Sequence, residues 1–162
     1  MVTWDITGTW IGEYRYDPSP AIPELPAPTR FTLEAHRGAL GRVRGTIQDD
    51  PARGAFEPAT MVGRVCGATV WFRKQYPRYY VYDRGQLTTL EEQLEAEQGI
   101  TLNESPAGRP IWYRGRYDEE CDSVAGMWRI KRRLMFFKAR GRLHVTLVGG
   151  VRGTWHMQRQ AV

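Results

Sequence analysis

The stretch Gly8-Thr9-Trp10-Ile11-Gly12-Glu13-Tyr14-Arg15-Tyr16 alternates residue by residue. Trp10, Gly12, Tyr14 and Tyr16 fall on one parity, and Thr9, Ile11, Glu13 and Arg15 on the other. Successive side chains of a strand point to opposite faces, so a period of two sends the rings to one side of a sheet and most of the polar groups to the other. The stretch therefore reads as a β-strand with one buried face.

The same period returns along the chain, over 30–35, 42–48, 60–66, 68–74, 79–82, 111–117, 124–131, 143–147 and 151–158. Turn chemistry separates these runs: Gly38 and Gly41, Asp49-Asp50-Pro51-Ala52-Arg53-Gly54, Gly67, and Asp83-Arg84-Gly85. Residues 18–28 hold five prolines, which donate nothing to a ladder, and read as a long, stiff loop. Over 87–98 the period changes: Leu87, Leu90 and Leu94 recur at helical spacing among glutamates. Thr88 or Thr89 caps the start with Glu91 or Glu92 three residues on, and Gly99 ends the run. The span 87–108 reads as a helix-containing insertion, a lid or plug.

About ten short strands, one helix and no βαβ rhythm point to an all-β fold. Gly12, Gly45, Gly63, Gly115, Gly126 and Gly153 lie inside strands on the apolar parity. Glycine weakens a flat strand but allows the bending that a small barrel needs. The expectation is a closed antiparallel up-and-down barrel of eight to ten strands with one inserted helix, a single domain over 1–162.

At 162 residues, with 41% hydrophobic and 25% charged, the composition is that of a globular chain and argues against disorder. No apolar run approaches the roughly 20 residues of a membrane helix, so no membrane insertion is expected. Met1-Val2-Thr3-Trp4-Asp5 has neither the basic nor the apolar region of an export signal. The expectation is a cytoplasmic protein with Cys66 and Cys121 as reduced thiols. The net charge is +5, and the basic residues are almost all arginine; only Lys74, Lys131 and Lys138 are lysines. That bias reads first as composition and second as a signal for an anionic partner.

Gly8-x-Trp10 on the first strand of such a barrel resembles the calycin group: lipocalins, avidins and fatty-acid-binding proteins. Gly153-Thr154-Trp155, which closure brings beside the first strand, and Gly126-Met127-Trp128 repeat the theme. The resemblance implies that Trp10 packs across the closed end, with Trp155 beside it. It further implies binding in the cavity or at the open mouth, without chemistry. The chain is expected to depart from true lipocalins in having no signal peptide and no paired cysteines, and in placing its helix mid-chain.

Parity sorts the candidate residues. Tyr14, Tyr16, Phe72, Tyr113, Tyr117 and Trp128 face inward, as do Leu143 and Val145. Lys74 shares the face of Val70 and Phe72, and an inward cation needs Asp49, an anionic ligand or an escape to solvent. His36, His144 and His156 fall on the outward parity without metal-ligand spacing, so no metal and no cofactor are expected. Neighbouring carboxylates such as Asp49 and Asp50 point apart on a strand and accept local bonds in a turn. No G-x-S-x-G, H-E-x-x-H or phosphate loop is present, so nothing marks an enzyme. Lys131, Arg132, Arg133, Phe136 and Lys138 gather charge around apolar residues and are the candidate macromolecular contacts, read first as a hairpin that buries Leu134 and Phe136.

The expected function is a non-catalytic binding protein holding a small apolar or anionic ligand, or a peptide end. Its ligand-binding residues would be Tyr14, Tyr16, Phe72, Lys74, Tyr113, Tyr117 and Trp128. Two alternatives stay open. One is a protein–protein interaction module with a packed barrel, engaging through its rim or 87–108. The other is an RNA or other nucleic-acid binder using its arginine-rich outer face.

Overall fold

The computed structural model describes residues 4–20, 22, 24–83, 86–103 and 106–161. The expected turn at Arg84 and Gly85 lies outside these residues, as do Met1, Val2 and Thr3. Eight strands close a barrel: β1 Gly8–Tyr16, β2 Thr29–Arg37, β3 Arg42–Asp49, β4 Ala59–Cys66, β5 Thr69–Gln75, β8 Ile111–Asp118, β9 Ser123–Ile130 and β12 Val151–Arg159. Two hairpins are inserted into this meander. One pairs β6 Tyr80–Asp83 with β7 Gln86–Thr89 and runs into α1 Leu90–Gln98; the other pairs β10 Arg133–Ala139 with β11 Arg142–Val148. Around the barrel the order is β1-β12-β9-β8-β5-β4-β3-β2, and every neighbouring pair is antiparallel.

The inward parity is the core. Trp10, Leu33, Val43, Ile47, Met61, Val70, Val124 and Met157 are almost wholly buried. The strand glycines make room for rings as well as bends. A methyl group at Gly12 would overlap Phe31, one at Gly115 would overlap Trp155, and one at Gly153 would overlap Trp128. The barrel is apolar inside and arginine-rich outside, the inverse of a barrel that spans a bilayer.

The two ends differ. One carries the short turns at 38–41, 67–68 and 119–122 and is sealed by the segment before β1. There Trp10 Nε1 donates to the Ile6 carbonyl at 2.8 Å, and Trp4 stacks on Tyr117 at 4.4 Å. Arg159 lies 4.4 Å from the Trp10 ring, pairs with Asp122 at 2.9 Å, and donates to the carbonyls of Asp5 and Thr7. The other end receives all four long connections, 17–28, 50–58, 76–110 and 131–150.

Both hairpins therefore rise from the same end, and they pack on each other. Leu90, Leu94 and Tyr79 form a second small core with Val81, Ile100, Leu102, Met135 and Phe137. Thr89 and Glu92 form the capping box of α1, and Gly99, at φ 61°, turns the chain out of it. Arg140 donates to the Gly99 carbonyl at 3.1 Å. The result is a canopy over the open mouth.

Three sequence expectations change. Helical geometry starts at Leu90, because 86–89 pair with β6 before the cap at Thr89. Leu143 and Val145 are not core but 62% and 54% exposed: β11 pairs only with β10, so its parity has no barrel interior to face. The same ribbon exposes Leu134 and Phe136 instead of burying them and turns Met135 and Phe137 toward the canopy core. His144 is correspondingly half-buried, stacked on Phe137.

Candidate functional site

Between the barrel mouth and the canopy lies a cavity of about 470 Å³. Tyr14, Tyr113 and Trp128 from the barrel strands form its floor, and Tyr79, Leu90 and Met135 contribute to its roof. The floor is aromatic because inward positions near the mouth ends of β1, β8 and β9 carry the Tyr14, Tyr113 and Trp128 rings, with Ile111 and Ile130 beyond them. Tyr16 stands edge-on to Trp128 at 4.8 Å, and the Trp128 ring nitrogen donates to the carbonyls of Arg15 and Thr154.

One corner of the floor is ionic. β5 delivers Lys74 inward, and β3 ends by delivering Asp49 inward. Lys74 Nζ lies 2.6 Å from Asp49 Oδ1, with side chains 1% and 0% exposed. Tyr14 donates to Asp49 Oδ2 at 3.1 Å, and Tyr76 donates to the same oxygen. The ammonium also lies 5.0 Å and 4.7 Å from the Tyr14 and Tyr76 ring centres. Burial pulls the Lys74 pKa below its ordinary value, while Asp49 acts to raise it. Burial pushes Tyr14, Tyr16, Tyr76 and Tyr113 well above the ordinary phenol range, with Asp49 adding to each. Asp50 does not join this site; it accepts from the Ala52 backbone and holds the 50–54 turn.

The pair is neutral as a unit, so Lys74 is already matched by Asp49. An ammonium has three donors and Asp49 takes one, which leaves Lys74 able to donate to a neutral acceptor. The charge available to an anion sits higher. Arg109 lines the cavity half-buried, with Nη1 donating to the Gly149 carbonyl at 3.0 Å and its guanidinium 5.5 Å from the Tyr79 ring. Among the described residues no carboxylate lies within salt-bridge distance of it. Tyr79 is only 5% exposed, and its hydroxyl has no hydrogen-bond partner among the described residues. By contrast, the nearby Arg78 is paired with Glu57 at 2.8 Å.

Of the residues singled out from sequence, Tyr14, Tyr16, Lys74, Tyr113 and Trp128 converge on the cavity. Phe72 lies a layer below, stacked on Tyr113 at 4.7 Å. Tyr117 sits at the opposite, sealed end, on Trp4, with its hydroxyl donating to Asp122. Trp10 lies at that end, with its ring nitrogen donating to the Ile6 carbonyl. Trp155 does not: it lies mid-barrel, edge-on to Phe72 and Tyr113, with its ring nitrogen donating to the Arg114 and Met127 carbonyls. Lys131, Arg132, Arg133, Phe136 and Lys138 are exposed on and beside β10. Sequence reasoning missed Tyr76, Tyr79 and Arg109. The run Tyr76-Pro77-Arg78-Tyr79-Tyr80 carried an aromatic signal, but nothing local places 76–80 or Arg109 over a barrel mouth. Among the described residues no group of three or more His, Cys, Asp or Glu side chains is arranged to hold a metal ion.

Comparison of the chain with protein-family models, with curated proteins and with solved structures yields no match.

Proposed function

We propose that this protein is a calycin-like binding protein that holds one small amphipathic molecule between barrel and canopy and does no chemistry on it. The apolar body of the ligand lies on the Tyr14, Tyr113 and Trp128 rings. Its acidic end is met at the rim by Arg109 and the Tyr79 hydroxyl. The observation that carries this reading is a cavity of about 470 Å³ bordered by a half-buried arginine without a carboxylate and a buried phenol without a partner. That volume falls within the roughly 300–1,000 Å³ of small-molecule sites. Buried polar groups are ordinarily satisfied, and a ligand anion would satisfy the Tyr79 hydroxyl and balance the Arg109 charge. The inward tyrosines and the Gly8-x-Trp10 barrel support the calycin-like part of the reading.

The test is native mass spectrometry of the purified chain, followed by calorimetric titration with dodecanoate, 1-naphthoate and dodecanol. A co-purifying mass lost on denaturation, or binding of an acid that Ile130→Trp abolishes by filling the cavity, is the expected result. A clean apo mass with no heat from any of the three would overturn the proposal.

A further inference from the structure

The outer face of the β10–β11 ribbon is apolar and exposed. Leu134, Phe136, Leu143, Val145 and Leu147 are each at least 51% exposed. The register brings them together, with Leu134 opposite Leu147 and Phe136 opposite Val145. Lys138, opposite Leu143, completes that face. Around it the span 131–150 carries Lys131, Arg132, Arg133, Lys138, Arg140 and Arg142 and no acidic residue; the last acidic residue of the chain is Asp122. A two-residue turn at Arg140 and Gly141, both at positive φ, fixes the ribbon.

We propose that this ribbon docks the protein on an anionic lipid bilayer, its apolar side chains lodging among the headgroups and its cations pairing with lipid phosphates and carboxylates. Three observations select that occupant. The six cations, with no acid among them, demand a negative partner and oppose a second copy of the same face. The ribbon is seven residues long, and two strands of that length cover roughly 200 Å². A stable dimer needs roughly 800 Å² from each partner. Four of the five exposed apolar residues are aliphatic, which suits hydrocarbon, whereas single-stranded nucleic acid is gripped by rings that stack on bases. Apolar insertion combined with a basic rim is the pattern of surface-bound amphipathic segments.

The ribbon also borders the cavity: Met135, Thr146, Leu147 and Val148 line the space described above. Docking through the outer face therefore leaves the ribbon between the cavity and the bilayer. The docking itself does not depend on the cavity being filled, and it is read with no ligand added.

The experiment is flotation of the full chain with vesicles of phosphatidylcholine alone and of phosphatidylcholine mixed with phosphatidylserine. The chain is expected to float with the mixed vesicles and not with phosphatidylcholine alone. Phe136→Ser/Val145→Ser should abolish flotation while leaving the unfolding midpoint near wild type, since these positions are solvent-exposed. Lys138→Gln should weaken binding roughly fivefold. Met127→Ser, an exposed apolar change on the barrel wall, should leave binding unchanged. Absence of flotation, or equal flotation with both vesicles, would overturn the proposal. So would a single-stranded RNA complex or a dimer in light scattering that Phe136→Ser/Val145→Ser dissolves, because either would assign the ribbon a different occupant.

Discussion

Lys74 and Asp49 meet 2.6 Å apart at the mouth of the barrel, delivered from β5 and β3, and neither side chain reaches solvent. Removing one partner of a buried pair strands the other, which costs about 3–5 kcal/mol. Lys74→Met and Asp49→Asn are each expected to lower stability by that order in urea titration. Lys74→Met/Asp49→Asn should recover most of the loss, because no uncompensated charge remains. Additive losses in the double-mutant cycle would mean that the two groups do not act as a pair.

The tyrosines set the alkaline limit. Tyr14, Tyr16, Tyr76 and Tyr113 are held protonated well above 10 in the folded chain, and Tyr80 is pushed up to about 12. Above pH 10 the unfolded chain releases protons that the native state keeps, so each such tyrosine removes about 1.4 kcal/mol of stability per pH unit. Lys74 acts with the opposite sign: its pKa is lowered on folding, so stability rises with pH between that value and 10.5. Several tyrosines outweigh one lysine above pH 10. Phenolate absorbance near 295 nm should therefore appear together with loss of near-ultraviolet dichroism. Smooth titration of the full tyrosine signal in a still-folded protein would contradict this.

The sealed end depends on Arg159, which joins Asp122, two backbone carbonyls and the Trp10 face. Arg159→Ala is expected to cost about 2 kcal/mol, the worth of charge-assisted bonds to partly buried groups. Arg159→Lys should restore little, because an ammonium cannot span the same acceptors from a planar fork. Thermal unfolding of the three chains decides it.

Two glycines separate packing from backbone strain. A methyl group at Gly153 would meet the Arg15 carbonyl and the Trp128 ring, whereas at Gly67, φ 56°, it would meet nothing within 4 Å. Gly67→Ala should cost about 1 kcal/mol, the left-handed penalty alone. Gly153→Ala should cost more than about 2 kcal/mol and shift Trp128 emission, since an overpacked core displaces its rings. Equal losses would show that the ring needs no such clearance.

For the cavity, Arg109→Gln is expected to weaken dodecanoate binding about tenfold while leaving dodecanol unchanged, as loss of one charge-assisted contact requires. Isothermal titration measures both. An equal loss for acid and alcohol would place Arg109 in the architecture of the rim and outside recognition.

Much of this molecule is readable without coordinates, and the reason is local. Burial on one face imposes a period of two, so the strands from Gly8–Tyr16 to Val151–Arg159 announce themselves, and the parity that buries Trp10 also sends Lys74 and Asp49 inward. A capping box needs only residues 89–92, and α1 follows from it. Burial of the inserted ribbon is not local. Leu143 and Val145 alternate as a core strand would, but β11 finds only β10 beside it, and what a strand buries depends on which surfaces flank it. For the same reason Tyr117 and Tyr14, alike in parity, end at opposite ends of the barrel.

The amino-acid sequence alone determined the all-β class, the inward and outward faces of the barrel strands and the helix α1, because these rest on interactions a few residues apart. The tertiary structure decided that two insertions rise from one end and share a small core, that Tyr79 and Arg109 overhang the mouth, and that one face of a ribbon is left bare. Those facts depend on closure between strands as distant as Gly8–Tyr16 and Val151–Arg159, and no pattern along the chain encodes which end of a closed barrel a loop will cover.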